Sequence, residues 1–223
     1  MATGVIPMKQ RPAQCMTQCL IWLACGSFWF SAAALPAEGL LIYKPPAVGA
    51  PSARSGGGTR ALMADLPLRL LTPTGIGWTS RASPILYWYS GKTGDQVAEI
   101  ALIRQDDNQT LLEKTLSVQR PGIQRIRLGD YGLSLPAGTV CRWSMALTAD
   151  RSGSSSDWFA DGAILYQPSD TATMSAAEFA EKGYWYDALA KLLENGAGGF
   201  SDQLEALLEQ GGVALPPGAM LLN

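Results

Sequence analysis

The sequence predicts a mainly β protein: an immunoglobulin- or fibronectin-like antiparallel β-sandwich of about seven strands, followed by a C-terminal α-helical hairpin. Three observations predict it. Strand-like runs recur about every 12 residues with turn residues between them, the spacing of an all-β sandwich. The run from Ser83 to Ser90 is the densest apolar and aromatic stretch beyond the start of the chain, and both its faces want cover, as a central strand does. After Pro168-Ser169-Asp170 the hydrophobic period changes from two to about 3.6.

Four regions follow in order: 1–34, 35–64, 65–168 and 169–223. The first has the parts of a secretory signal. Lys9 and Arg11 supply a positive end, an apolar region runs from about Cys19 to Phe30, and Ser31 to Ala34 offer small residues for cleavage. The apolar run is short for a span of roughly 20 residues. A retained anchor and lipidation at Cys25 are the alternatives, the latter weakened by Trp22 where a lipobox wants leucine. The expected location is therefore periplasmic or extracellular, with membrane contact only through this segment. Region 35–64 is an extended Pro/Gly-rich arm. Three prolines and four glycines between Tyr43 and Arg60 forbid regular structure there.

The sandwich region reads strand by strand. Leu66 to Thr72 is the first run, and Gly75 to Ser80 is a turn or short strand. Pro84 to Ser90 is the central strand, with proline at its start where no N–H is needed. Gln96 to Arg104 and Thr110 to Val118 form a hairpin around Asp106-Asp107-Asn108. Pro121-Gly122 turns into Ile123 to Leu128, and Leu135 to Gly138 leads into Thr139 to Thr148. Asp157 to Gln167 closes the set. In Thr139–Thr148, alternation puts Cys141, Trp143, Met145 and Leu147 on the core face.

In the tail, Ser175 and Glu178 make a capping box, and Gly183 breaks or kinks the first helix at about Lys182. Tyr184 to Glu194 continues, with Trp185, Leu189 and Leu192 as the buried stripe, and Asn195-Gly196 ends it. Ser201 caps a last helix to about Gln210, with Leu204, Leu207 and Leu208 inward. The segment Ala180–Leu189 also resembles one tetratricopeptide helix pair, but a solenoid needs about three. A hairpin that docks on one sheet or covers its edge is the simpler reading.

Composition excludes several chemistries. The 223 residues contain no histidine, which removes Ser-His-Asp and Cys-His catalysis and histidine-ligated metals. Net charge is −2, so no basic field holds a phosphate backbone, and nucleic acid is not an expected partner. No cofactor or metal motif is present: the polar loop Asp150–Asp157 lacks the EF-hand pattern. Cys141 reads as a buried small hydrophobe rather than a thiol nucleophile. Arg54 and Arg60 bracket Gly56-Gly57-Gly58-Thr59, an anion-nest composition without the Gly-Lys-Ser/Thr of a phosphate loop. Trp78 and Trp158 lie near turns and are the tryptophans best placed for exposure. The candidate binding residues are Arg54, Arg60, Tyr186, Asp187 and Trp158.

The order Pro-Pro-x-x-Gly-x-Pro-x-x-Arg-x-Gly-Gly-Gly-Thr-Arg, from Pro45 to Arg60, resembles the opening signature of a bacterial family known as domain of unknown function 928. Pro84 to Tyr89, Gly122-Ile123, Leu135 to Gly138 and Gly183 to Leu189 extend the resemblance over about Tyr43 to Leu215. It implies an exported protein with no established activity, in an envelope or signalling setting. Cys141 departs from it by standing where the family tends to have an aromatic, and Leu165-Tyr166 by replacing a more polar strand end.

The expectation is thus an exported, non-enzymatic interaction module, its partner an envelope or sensor protein. The alternative is a carbohydrate-binding module, or a hydrolase of the cell envelope that works with two carboxylates. Sugar stacking needs an exposed aromatic platform, and core packing is the simpler role for Tyr87, Trp88, Tyr89, Trp143 and Trp158.

Overall fold

There are eight strands among the described residues: β1 (Leu68–Leu70), β2 (Ile76–Thr79), β3 (Ile85–Ser90), β4 (Gln96–Arg104), β5 (Thr110–Val118), β6 (Gly122–Arg127), β7 (Val140–Thr148) and β8 (Trp158–Tyr166). Alternating burial marks β4 and β7, and continuous burial marks β1 and β3. The computed structural model describes residues 41–47, 67–91, 96–148, 158–195, 201–216 and 218–219, all within the unit Glu38–Asn223. The proposed signal segment, the arm from residue 48 to 66 and the polar loop at 150–157 lie outside the described residues.

The strands form a three-stranded sheet, β1-β3-β6, and a five-stranded sheet, β2-β8-β7-β4-β5. In the lettering of immunoglobulin-like folds, the first is A-B-E and the second continues G-F-C-C′. β3 is central in its sheet and buried along its whole length. In β7 the core face carries Cys141, Trp143, Met145 and Leu147, all fully buried. Both sheets feed one hydrophobic cluster.

The pairing is not wholly antiparallel, because β2 runs parallel to β8. The reason is the crossing after β1. Leu71 still donates its N–H to Tyr87 O, but Thr72-Pro73 carries the chain from the first sheet to the edge of the second. Proline has no N–H to pair, so the ladder ends there. A 3-10 turn, Leu128–Tyr131, stands where the β6 run was expected to finish, and Gly132 closes it in the left-handed region at φ 66°.

Three helices follow: α1 (Ala176–Glu181), α2 (Trp185–Asn195) and α3 (Asp202–Gly211). The capping box forms, with Ser175 Oγ accepting from the Glu178 N–H and Glu178 accepting from the Ser175 N–H. Ser201 caps α3, which buries Leu204, Leu207 and Leu208. The expected stripe of α2 needs correction. Leu193 is buried and Leu192 only partly so. Every residue from Trp185 to Ala190 is buried, so the first half of α2 is enclosed on all sides rather than laid on a surface. The start of the arm packs on these helices. Tyr43 meets Trp185 edge-on at 4.9 Å, Lys44 N–H donates to Ala180 O, and Gln210 spans the Leu41 carbonyl and the Tyr43 N–H.

Candidate functional site

The segment Gly183–Asp187 has the most concentrated chemistry among the described residues, and its geometry follows from one problem. A strand at the edge of a sheet leaves alternate backbone groups unpaired. β2 is such a strand. The donors of Thr74, Trp78 and Ser80, in phase on its outer side, are taken by Gly211 O at 3.0 Å, Gly183 O at 3.4 Å and Asp187 Oδ2 at 2.8 Å. Gly183 can present its carbonyl there because it holds φ 82°, with Pro46 packed where a Cβ would stand. The helices therefore complete the edge of the five-stranded sheet.

Each following residue does a separate job. Trp185 donates its indole N–H to Leu71 O at 2.9 Å, satisfying the carbonyl at the chain crossing. Tyr186 enters between the sheets. Its hydroxyl accepts from Trp143 Nε1 at 2.9 Å, donates to Ala163 O at 3.2 Å, and lies 2.9 Å from Thr72 Oγ1. A phenol has one proton. With that proton on Ala163 O, Thr72 must be the donor in the third bond. Gly77 makes room for the ring, since a Cβ there would sit 2.8 Å from Tyr186 Cε2. Burial pushes the Tyr186 hydroxyl up to about 12.

Asp187 is 1% exposed. It accepts from both the N–H and the hydroxyl of Ser80, each at 2.8 Å, and from the Thr79 hydroxyl, while Arg81 Nε stands 3.5 Å away. Burial raises its carboxyl above the ordinary value, and the Ser80 and Thr79 donors and Arg81 oppose that rise. Thr171 Oγ1 lies 3.1 Å from Ser80 Oγ, whose own proton goes to Asp187.

The structure thus brings Tyr186 and Asp187 onto one helical turn but sets both in the interior, engaged with the scaffold. Arg54 and Arg60 lie outside the described residues. Trp158 is half-buried: its partner in the ladder is Leu147, which puts it on the core face. Trp78 is also half-buried, edge-on to Tyr184 at 5.9 Å. The most exposed aromatic among the described residues is instead Phe159, 62% accessible, ahead of Tyr131. It stands opposite Ala146, on the outer face of the five-stranded sheet. Alternation from Trp158 was the signal that could have found it.

The remaining candidates resolve simply. Cys141 is fully buried, and burial pushes its thiol up to about 11. Asp106 and Asp107 hold the β4–β5 turn by pairing with Arg104, and Asn108 takes the left-handed turn position at φ 57°. Among the described residues no group of three or more acidic or cysteine side chains converges in a way that could hold a metal ion.

A search of curated proteins finds no match to this chain. A family model described as Domain of Unknown Function (DUF928) matches residues 55–213, more than half of the sequence. The match takes in the strands, the sheet crossing and the Gly183–Asp187 seal described above, and on that match the chain belongs to the DUF928 family.

Proposed function

We propose that this protein is an exported, non-enzymatic interaction module that works in the cell envelope through the outer face of its five-stranded sheet. The observation that carries the reading is the setting of Phe159. The ladder places Phe159, Ala146 and Glu99 in one row and Asp161, Ser144 and Ala101 in the next. Ala146, Ser144 and Ala101 leave the middle of that face low, and Phe159 stands 62% exposed beside it. A solitary large aromatic on a low surface is a typical anchor for a partner protein. The motif residues support the same reading, because Tyr186 and Asp187 are engaged in closing the fold. An envelope or sensor protein is the partner class. Export itself rests on the sequence of residues 1–34. No described helix is long and apolar enough to cross a membrane.

The test has two arms. Osmotic-shock fractionation in a bacterial host, with mass measurement of the released N-terminus, is expected to find a chain cleaved near Ala34. A full-length cytoplasmic chain would refute export. Immobilised protein is then compared with Phe159→Ser for retention of envelope proteins. Retention by the native chain that the variant loses is expected. Identical retention profiles would remove this face from the proposal.

A further inference from the structure

On the three-stranded sheet the register places Tyr87 opposite Arg125 and Ile85 opposite Arg127, so Tyr87, Arg125 and Arg127 share one face. Two of the cations nearby have acidic partners. Arg127 Nη2 stands 3.6 Å from Glu194 Oε1, and Arg81 Nε stands 3.5 Å from Asp187. Arg125 is half-buried and has neither an ion pair nor a hydrogen bond among the described residues. Beside it, Tyr87 is 0% exposed and its hydroxyl has no hydrogen-bond partner. The charges of Glu194, Arg125, Arg127 and Arg81 all reach that hydroxyl.

Both unmet groups are donors of the same kind. A guanidinium offers N–H groups in a rigid fork and accepts nothing, and a phenol has one O–H to give. A buried hydroxyl without a partner and a half-buried unpaired cation are each costly. The phenol oxygen can also accept, but another donor, or a cation, does nothing for Arg125. A ligand with several acceptor oxygens and a negative charge relieves both.

We propose that Arg125 and Tyr87, flanked by Arg127, form a binding site for a small oxyanion, a phosphate or carboxylate group. Arg125 binds the anion as a fork, the Tyr87 hydroxyl donates to it, and Glu194 is the internal competitor that shares Arg127 with the incoming group. This site is separate from the Phe159 face, and its failure would leave that reading standing.

The experiment titrates purified protein with inorganic phosphate, and separately with acetate, against sodium chloride at matched ionic strength. The readouts are the side-chain Nε–H resonance of Arg125 and the heat of binding. A saturable response above the chloride control is expected for at least one of the two. Phosphate alone assigns the phosphate group, acetate alone the carboxylate, and both together the shared oxyanion chemistry. Arg125→Gln is expected to weaken binding about tenfold or more, because it removes a charge-assisted pair of bonds. Tyr87→Phe keeps the buried ring and weakens binding several-fold, and Glu194→Gln, which removes the competitor, tightens it. No response above chloride, or equal binding by Arg125→Gln with its fold intact, would overturn the proposal.

Discussion

Tyr186→Phe isolates the chemistry of the sheet crossing while keeping the ring that fills it. The substitution removes one oxygen and strands three partners: Trp143 Nε1, Ala163 O and Thr72 Oγ1. Thr72 can rotate its hydroxyl, so the lasting losses are an indole N–H and a backbone carbonyl, both buried. Each unsatisfied buried group costs about 1–3 kcal/mol, which gives a loss of about 2–6 kcal/mol for the two. In a chain of this size about 1 kcal/mol shifts the midpoint by about 2–4 °C, so the variant should melt about 4–24 °C lower. Thermal and urea unfolding followed by tryptophan fluorescence measure this directly. Thr72→Val combined with Tyr186→Phe should destabilise by less than the sum of the two, since both act on one network. A Tyr186→Phe variant within about 0.5 kcal/mol of the native protein would refute the account, because that is the range of substitutions touching no such network.

Other outcomes follow from neighbouring residues. Asp187 has a folded carboxyl raised above its unfolded value by burial, so its contribution is full below the unfolded value and is lost as pH rises through the folded one. The stability advantage of the native chain over Asp187→Asn should therefore be widest in acid and narrow toward neutral pH; a gap that widens with pH would contradict the burial. In a chain with Cys15, Cys19 and Cys25 replaced by serine, the remaining Cys141 thiol, pushed up to about 11, should resist a thiol reagent at pH 8 until denaturant is added. Labelling of the native protein at the rate of a free thiol would contradict it. Gly77→Ala should cost about 1–3 kcal/mol by driving a methyl into the Tyr186 ring, and an unchanged urea midpoint would show that the ring has room to move.

The strands were legible because alternation is local. β4, β5 and β7 have their periods in their own residues, and their bounds fall within a residue of those read from the sequence. The helix caps at Ser175 and Ser201 were legible for the same reason. Long-range partnership was not. Asp187 looks like a solvated or functional carboxylate on its helix, and only Ser80, 107 residues away, explains its burial. The parallel pairing of β2 with β8 likewise depends on where the chain lands after Pro73. Trp158 and Phe159 were separable in principle, since adjacent strand residues face opposite ways, but the phase is fixed only by the register with β7. Arg125 carried no signal, because its lack of an acidic partner is a property of the assembled surface.

The seal along β2 has a consequence for association. A sheet with two open edges can add strands at both ends and so grow without limit, the geometry of fibres. Here Gly211, Gly183 and Asp187 occupy one edge, leaving β5 as the other end strand of its sheet. Among the described residues no strand pairs with the outer side of β5, and a sheet with a single free end is a chain terminator. Two copies meeting along β5 would join their sheets and leave no further edge open in either, so strand pairing through this sheet stops at a dimer. The helical tail thus sets an upper limit on that assembly from the opposite edge of the sheet.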